Sequence, residues 1–145
     1  MEIRLVTLDV ARSGTELVVP EEFFSYRALE EVEPVDSPLG TRLIRFGSFG
    51  LGTSMYFDEA SQEVLHGLTP QDVAMVNTSP SHFTQCIVRL SEIFPFYGEE
   101  SDVDEWEAAA KGVEDIIREV DPRAYYEGAY WYEFLWDVSI GDFHE

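Results

Sequence analysis

His82 and Cys86 stand four residues apart, a spacing that puts an imidazole and a thiol on one face of a helix. Two ligands do not make a zinc site, and the usual paired ligand spacings are missing, with His66 and His144 remote in the chain. The expectation is a half-buried thiol and a histidine in a capping turn, with no metal. A reactive thiolate belongs at a helix N-terminus, whereas Cys86 falls inside an apolar stripe. No Gly-x-Ser-x-Gly elbow occurs. Gly47, Gly50 and Gly52 read G-x-x-G-x-G, which is neither a dinucleotide fingerprint nor a P-loop, and they suit a turn or bulge between strands. Carboxylate pairs such as Glu99 with Glu100, or Glu114 with Asp115, follow from composition in so acidic a chain. The expectation is therefore no catalytic residue, no cofactor and no enzyme.

Charge is the larger signal. Twenty-nine acidic against nine basic side chains give a net charge of −20 over 145 residues. Residues 1–96 hold 14 acids and 6 bases, while residues 97–145 hold 15 acids and 3 bases. A field of that sign repels nucleic acid and anionic lipid and attracts a basic partner. It is densest at Glu99, Glu100, Asp102, Asp104, Glu105 and Glu107, beside Tyr97, with no basic residue from Tyr97 to Ala110. Helix capping needs only one or two of these carboxylates. The cluster, with Tyr97, is a candidate partner-binding surface, the alternative being a solvated loop. Tyr125, Tyr126, Tyr130, Trp131, Tyr132, Phe134 and Trp136 form an aromatic group among Glu127, Glu133 and Asp137. Stacking on single-stranded nucleic acid needs a basic groove, so core packing or a protein interface is left.

The elements that would position these residues can be read from periodicity. Residues 2–8 suit a strand or a first helical turn equally. Pro20 to Phe24 reads as a helix start or turn, and Pro34 to Gly40 as a loop rich in breakers. Thr41 to Phe46, Ser54 to Phe57 and Glu63 to His66 read as strands, with Asp58 to Gln62 as a hairpin turn. Val73 to Val76 is a short apolar run suited to a strand paired on both edges. Asn77 and Thr78 should bond locally to the backbone, Ser79 should cap a helix, and Pro80 takes the first helical position. Phe83, Cys86, Ile87, Leu90, Ile93 and Phe94 mark one face of that helix, which ends at Pro95. A second helix follows, with Val103, Trp106, Ala110, Val113, Ile117 and Val120 as its stripe; Ser101 or Asp102 starts it and Asp121-Pro122 ends it. From Tyr130 to Val138 aromatic and apolar residues alternate, which favours a strand over a buried helix.

Val76-Asn77-Thr78-Ser79 followed by a helix with an early Phe83 resembles the signature of the SUKH-4 group of immunity proteins, part of the SUKH superfamily that includes Smi1/Knr4. Gly47 at a strand end, Tyr56-Phe57-Asp58, Glu63-Val64-Leu65, and Val120-Asp121-Pro122 with Trp131 nine residues on are similar to the group's pattern in order and spacing. The likeness runs over roughly residues 20 to 140. It implies a structural role for Trp131. Members usually carry an N-terminal helix leading to a Gly-Leu-Pro-like turn; here residues 1–13 are short for it, and Gly14 to Pro20 is available for the turn.

Taken together, residues 1–145 are expected to form a single α+β domain, a twisted, mainly antiparallel sheet packed against the helices at 80–94 and 103–120. Asn77, Ser79, Pro80 and Trp131 are expected to be structural. One cysteine excludes an internal disulfide, and no apolar run spans a bilayer, which makes the cytoplasm the default. The resemblance implies an immunity protein that occludes a cognate toxin, often a nuclease; the charge points to a basic partner. A regulatory scaffold of the Smi1/Knr4 type and a cryptic enzyme are the alternatives.

Overall fold

The computed structural model describes residues 1–10, 15–38 and 40–142; Gly14 and His144 fall outside them. Eight strands precede three helices: β1 Leu5–Val10, β2 Thr15–Pro20, β3 Glu22–Phe23, β4 Tyr26–Asp36, β5 Arg42–Phe49, β6 Thr53–Asp58, β7 Val64–Thr69, β8 Asp72–Asn77, α1 Pro80–Glu92, α2 Val103–Val120 and α3 Tyr130–Ser139. A short 3₁₀ turn, Pro122–Ala124, joins α2 to the segment before α3. The architecture is α+β, with a curled antiparallel sheet and three helices.

β1 and β2 form a two-stranded ribbon, while β3 to β8 form a six-stranded meander in sequence order, antiparallel throughout. Thus the N-terminal helix that the resemblance implies gives way to strand: Leu8 and Val10 face inward and meet Leu17 and Val19 of β2 in the core. The breaker-rich segment is strand as far as Asp36. It tolerates Pro34 because β3 covers only the first residues of β4, so beyond Arg27 β4 has β5 on one side only. Pro20 to Phe24 is not a helix start: Glu22 and Phe23 form β3 and Phe24 lies in the turn that follows, as the turn reading allowed. Gly47 lies inside β5 next to a bulge, where a Cβ would come 2.8 Å from the Tyr26 ring. Gly50 and Gly52 take positive φ in the β5–β6 turn, as their types suggested.

β8 is an edge strand rather than a central one, since it pairs only with β7. Its outer side is covered from the segment after α2: the Tyr126 hydroxyl donates to the Met75 carbonyl at 2.6 Å. Such cover protects an edge that would otherwise invite another strand. α1 begins as its residues dictate. Ser79 Oγ accepts from the His82 N–H at 3.1 Å, Pro80 takes the first turn, and Phe83, Cys86, Ile87 and Leu90 are buried. Ile93, expected in the apolar stripe, is instead exposed at the C-cap because the helix ends at Glu92.

The stretch from Tyr130 is a helix, correcting the strand expectation. Tyr130, Trp131, Phe134 and Val138 share one helical face and are buried, leaving Glu133 and Trp136 to solvent. Alternating aromatics fit either period, and the helix buries the larger set against α2 and the inner face of the sheet. Phe83 of α1, Trp131 and Phe134 of α3, and Phe23, Tyr26, Phe46 and Phe57 of the sheet share this main core.

Candidate partner-binding surface

Two clusters of polar and aromatic side chains gather around α3. The first is buried. Asp121, 3% exposed, accepts hydrogen bonds from Asn77 Nδ2 at 3.0 Å, the Thr78 N–H at 2.8 Å and Thr78 Oγ1 at 3.0 Å. Asn77 Oδ1 accepts from Trp131 Nε1 at 2.9 Å, and Asn77 Nδ2 also lies 3.6 Å from Cys86 Sγ. Asn77 and Thr78 therefore do not serve their own turn, as local turn chemistry suggested. They tie the strand-to-helix junction to the end of α2 and to α3. Ser79 Oγ and Thr78 Oγ1 both lie within 3.0 Å of His82 Nδ1, which places the histidine in the capping turn. Cys86 is fully rather than half buried, and burial pushes its thiol up to about 12, so it is no nucleophile at neutral pH. Among the described residues no group of three or more His, Cys, Asp or Glu could hold a metal.

The residues of this node are those through which the sequence resembled a family: the Val-Asn-Thr-Ser junction, the Val-Asp-Pro helix end and the following tryptophan. A family model, SUKH-4 immunity protein, matches residues 11–137. This chain belongs to the SUKH-4 immunity protein family. No curated protein and no solved structure matches it. Membership carries immunity as the general function and implies a toxin as the partner. The family motifs meet in a saturated internal network, which explains their spacing across 44 residues of chain between Asn77 and Asp121.

The second cluster is at the surface. Glu99, Glu100, Asp102, Asp104, Glu105 and Glu107 are all exposed. Asp102 is the N-cap of α2, its Oδ1 accepting from the Glu105 N–H at 3.0 Å, while Ser101 instead accepts from the Gly98 N–H. Asp104 and Glu105 lie in the first turn, where the helix dipole favours them. Tyr97 is not part of this surface. It is 6% exposed and its hydroxyl donates to the Val138 carbonyl at 2.8 Å, anchoring the acidic loop to α3.

That anchor joins the loop to carboxylates the sequence reading left unassigned. α3 returns along α2 so that Gly141 lies against the Trp106 indole, too close for a Cβ. The end of α3 thus comes up against α2 at Trp106, with Asp142 next in the chain. Each of the eight basic side chains among the described residues is already ion-paired, with Glu21, Glu22, Glu59, Glu33, Glu119, Asp115, Glu114 or Glu63. None of these pairs involves residues 97–107, Glu133, Asp137 or Asp142. The exposed pairs add little stability, but among the described residues they leave no unpaired Lys or Arg for this face. Asp137 holds its proton above the usual carboxylate range, through burial first and then the charges of Asp142 and Glu133.

Aromatic rings continue the face. Phe24, in the turn between β3 and β4, sits 5.4 Å from Phe94 and 5.8 Å from Phe134, and Phe96 sits 6.0 Å from Phe134. These residues are distant in sequence. The visible signal for them was the acidic-aromatic composition of residues 130–137, which a strand reading scattered onto two faces.

Proposed function

We propose that this chain neutralises a basic cognate toxin, a nuclease being the class whose own substrate is anionic, by covering its working surface. It acts in the cytoplasm as one domain and performs no chemistry. The observation that carries this reading is the exposed acidic cluster from Glu99 to Glu107, none of whose carboxylates is ion-paired among the described residues. The basic groove with which a nuclease holds phosphate is complementary to such a face. Among the described residues no helix is long and apolar enough to cross a membrane, and the charge opposes an anionic bilayer. Glu99, Glu100, Asp102, Asp104, Glu105 and Glu107 act mainly in steering, so they should set the association rate more than the dissociation rate. The test is association kinetics with the cognate toxin. Changing Glu99, Glu100 and Asp104 to Lys should slow association about tenfold or more at low salt and flatten its salt dependence. Kinetics unchanged from wild type across a salt series would remove the loop from the interface.

A further inference from the structure

A cleft of about 290 Å³ opens between α3 and the ends of the β3–β4 and β5–β6 hairpins. Phe24, Phe49, Tyr130 and Phe134 wall it, and His66 lies 5.6 Å from the Tyr130 ring. Glu133, exposed, and Asp137, half-buried, complete the lining. Three features of this place work against stability. Phe24 holds a left-handed backbone, φ +54°, which phenylalanine rarely adopts, and the residue is still 39% exposed. Glu133 and Asp137 are one helical turn apart and repel. They also lie on a helix with no basic residue in its last turn, and Asp137 and Asp142 stand at the end where the dipole disfavours anions. Leu51, at the tip of the β5–β6 turn, and Trp136 and Ile140, on α3, expose apolar surface around the same end.

We propose that this cleft seats one arginine side chain of the partner protein, its stem between the aromatic walls and its guanidinium between Glu133 and Asp137. The inference rests on the protein-binding reading above. Arginine fits because its planar cation stacks on aromatic faces and can bridge two carboxylates, whereas a compact ammonium does neither as well. A neutral apolar side chain would strip water from Asp137 without replacing it. The raised proton affinity of Asp137 agrees with a carboxylate awaiting a counter-charge. The acidic loop would then bring the partner in, and the cleft would hold it.

The test uses the free chain and a defined probe. N-acetyl-arginine amide is titrated into ¹⁵N-labelled protein, with N-acetyl-citrulline amide as the neutral probe of nearly the same shape. Amide shifts are expected at Phe49, Thr53, His66, Tyr130 and Asp137, with citrulline about tenfold weaker because it lacks the charge-assisted bonds. The double variant Glu133→Gln, Asp137→Asn should lose the same preference while keeping the wild-type spectrum elsewhere. Equal shifts with citrulline, shifts confined to the Glu99–Glu107 loop, or no shift at all would overturn the cleft. Each of those results leaves toxin binding by the loop standing, because that is measured on the toxin itself. Loss of toxin binding by the wild-type chain would remove the immunity reading instead.

Discussion

Tyr130 and Trp131 are neighbours in α3, with ring centroids 4.8 Å apart, yet they belong to regions with opposite electrostatics. On the Trp131 side, Asp121 meets three donors, and Asn77 both donates and accepts. On the Tyr130 side, Glu133 and Asp137 meet no donor cation among the described residues, and the Phe24 side of the cleft is open to solvent. A buried carboxylate left without partners would unfold the protein; an exposed one only strains it. The difference separates what the fold requires from what it tolerates. Side chains that complete one another inside the molecule hold the SUKH-4 scaffold together, while those left incomplete are the ones available to a partner.

The comparison breaks first at Asp121. Asp121→Ala would remove the carboxylate acceptor shared by the Asn77 amide and both Thr78 donors, and should cost about 3 kcal/mol of stability. A urea midpoint close to wild type would show that the node is not structural. Ser79→Ala at the edge of the same node should cost about 1 kcal/mol through the lost N-cap bond. An unchanged midpoint with toxin binding abolished would move Ser79 to the interface.

The opposite sign is expected at the cleft. Glu133→Gln with Asp137→Asn should raise stability by about 0.5 kcal/mol, because it removes a like-charge pair from α3 and an anion from its negative end. The pH dependence follows the same sign. Asp137 has a higher pKa folded than unfolded, so its contribution is fully present below the unfolded value of 3.8 and is lost as pH rises through the folded value. The stability advantage of the double variant should therefore shrink on acidification toward pH 4. An advantage that grew there would contradict the repulsion. The smallest effect concerns Cys86, whose thiol should resist iodoacetamide at pH 8 in the native state and react on unfolding. Rapid native labelling would show that the node opens.

The sequence was most legible where local chemistry and packing agree. Ser79 and Pro80 start α1 as their types dictate, and the stripe from Phe83 to Leu90 is buried. The glycines at 50 and 52 turn the chain. Legibility failed where distant partners decide. Asn77 and Thr78 carry side chains that serve turns well, and only the arrival of Asp121 redirects them. Tyr97 looked like an aromatic edge to an acidic patch, and its burial depends on α3 being a helix. The cleft draws on Phe24, Phe49, His66 and α3, so no single stretch announces it. The acidic loop itself was legible because uncompensated charge is a property of composition.

Hydrogen–deuterium exchange of this chain, free and bound to its cognate toxin, tests the division between scaffold and surface most directly. New protection is predicted in residues 96–107, 130–142 and the β5–β6 turn, with residues 76–82 and 117–124 unchanged. Protection centred on 76–82 and 117–124, with the acidic face exchanging as in the free protein, would contradict it.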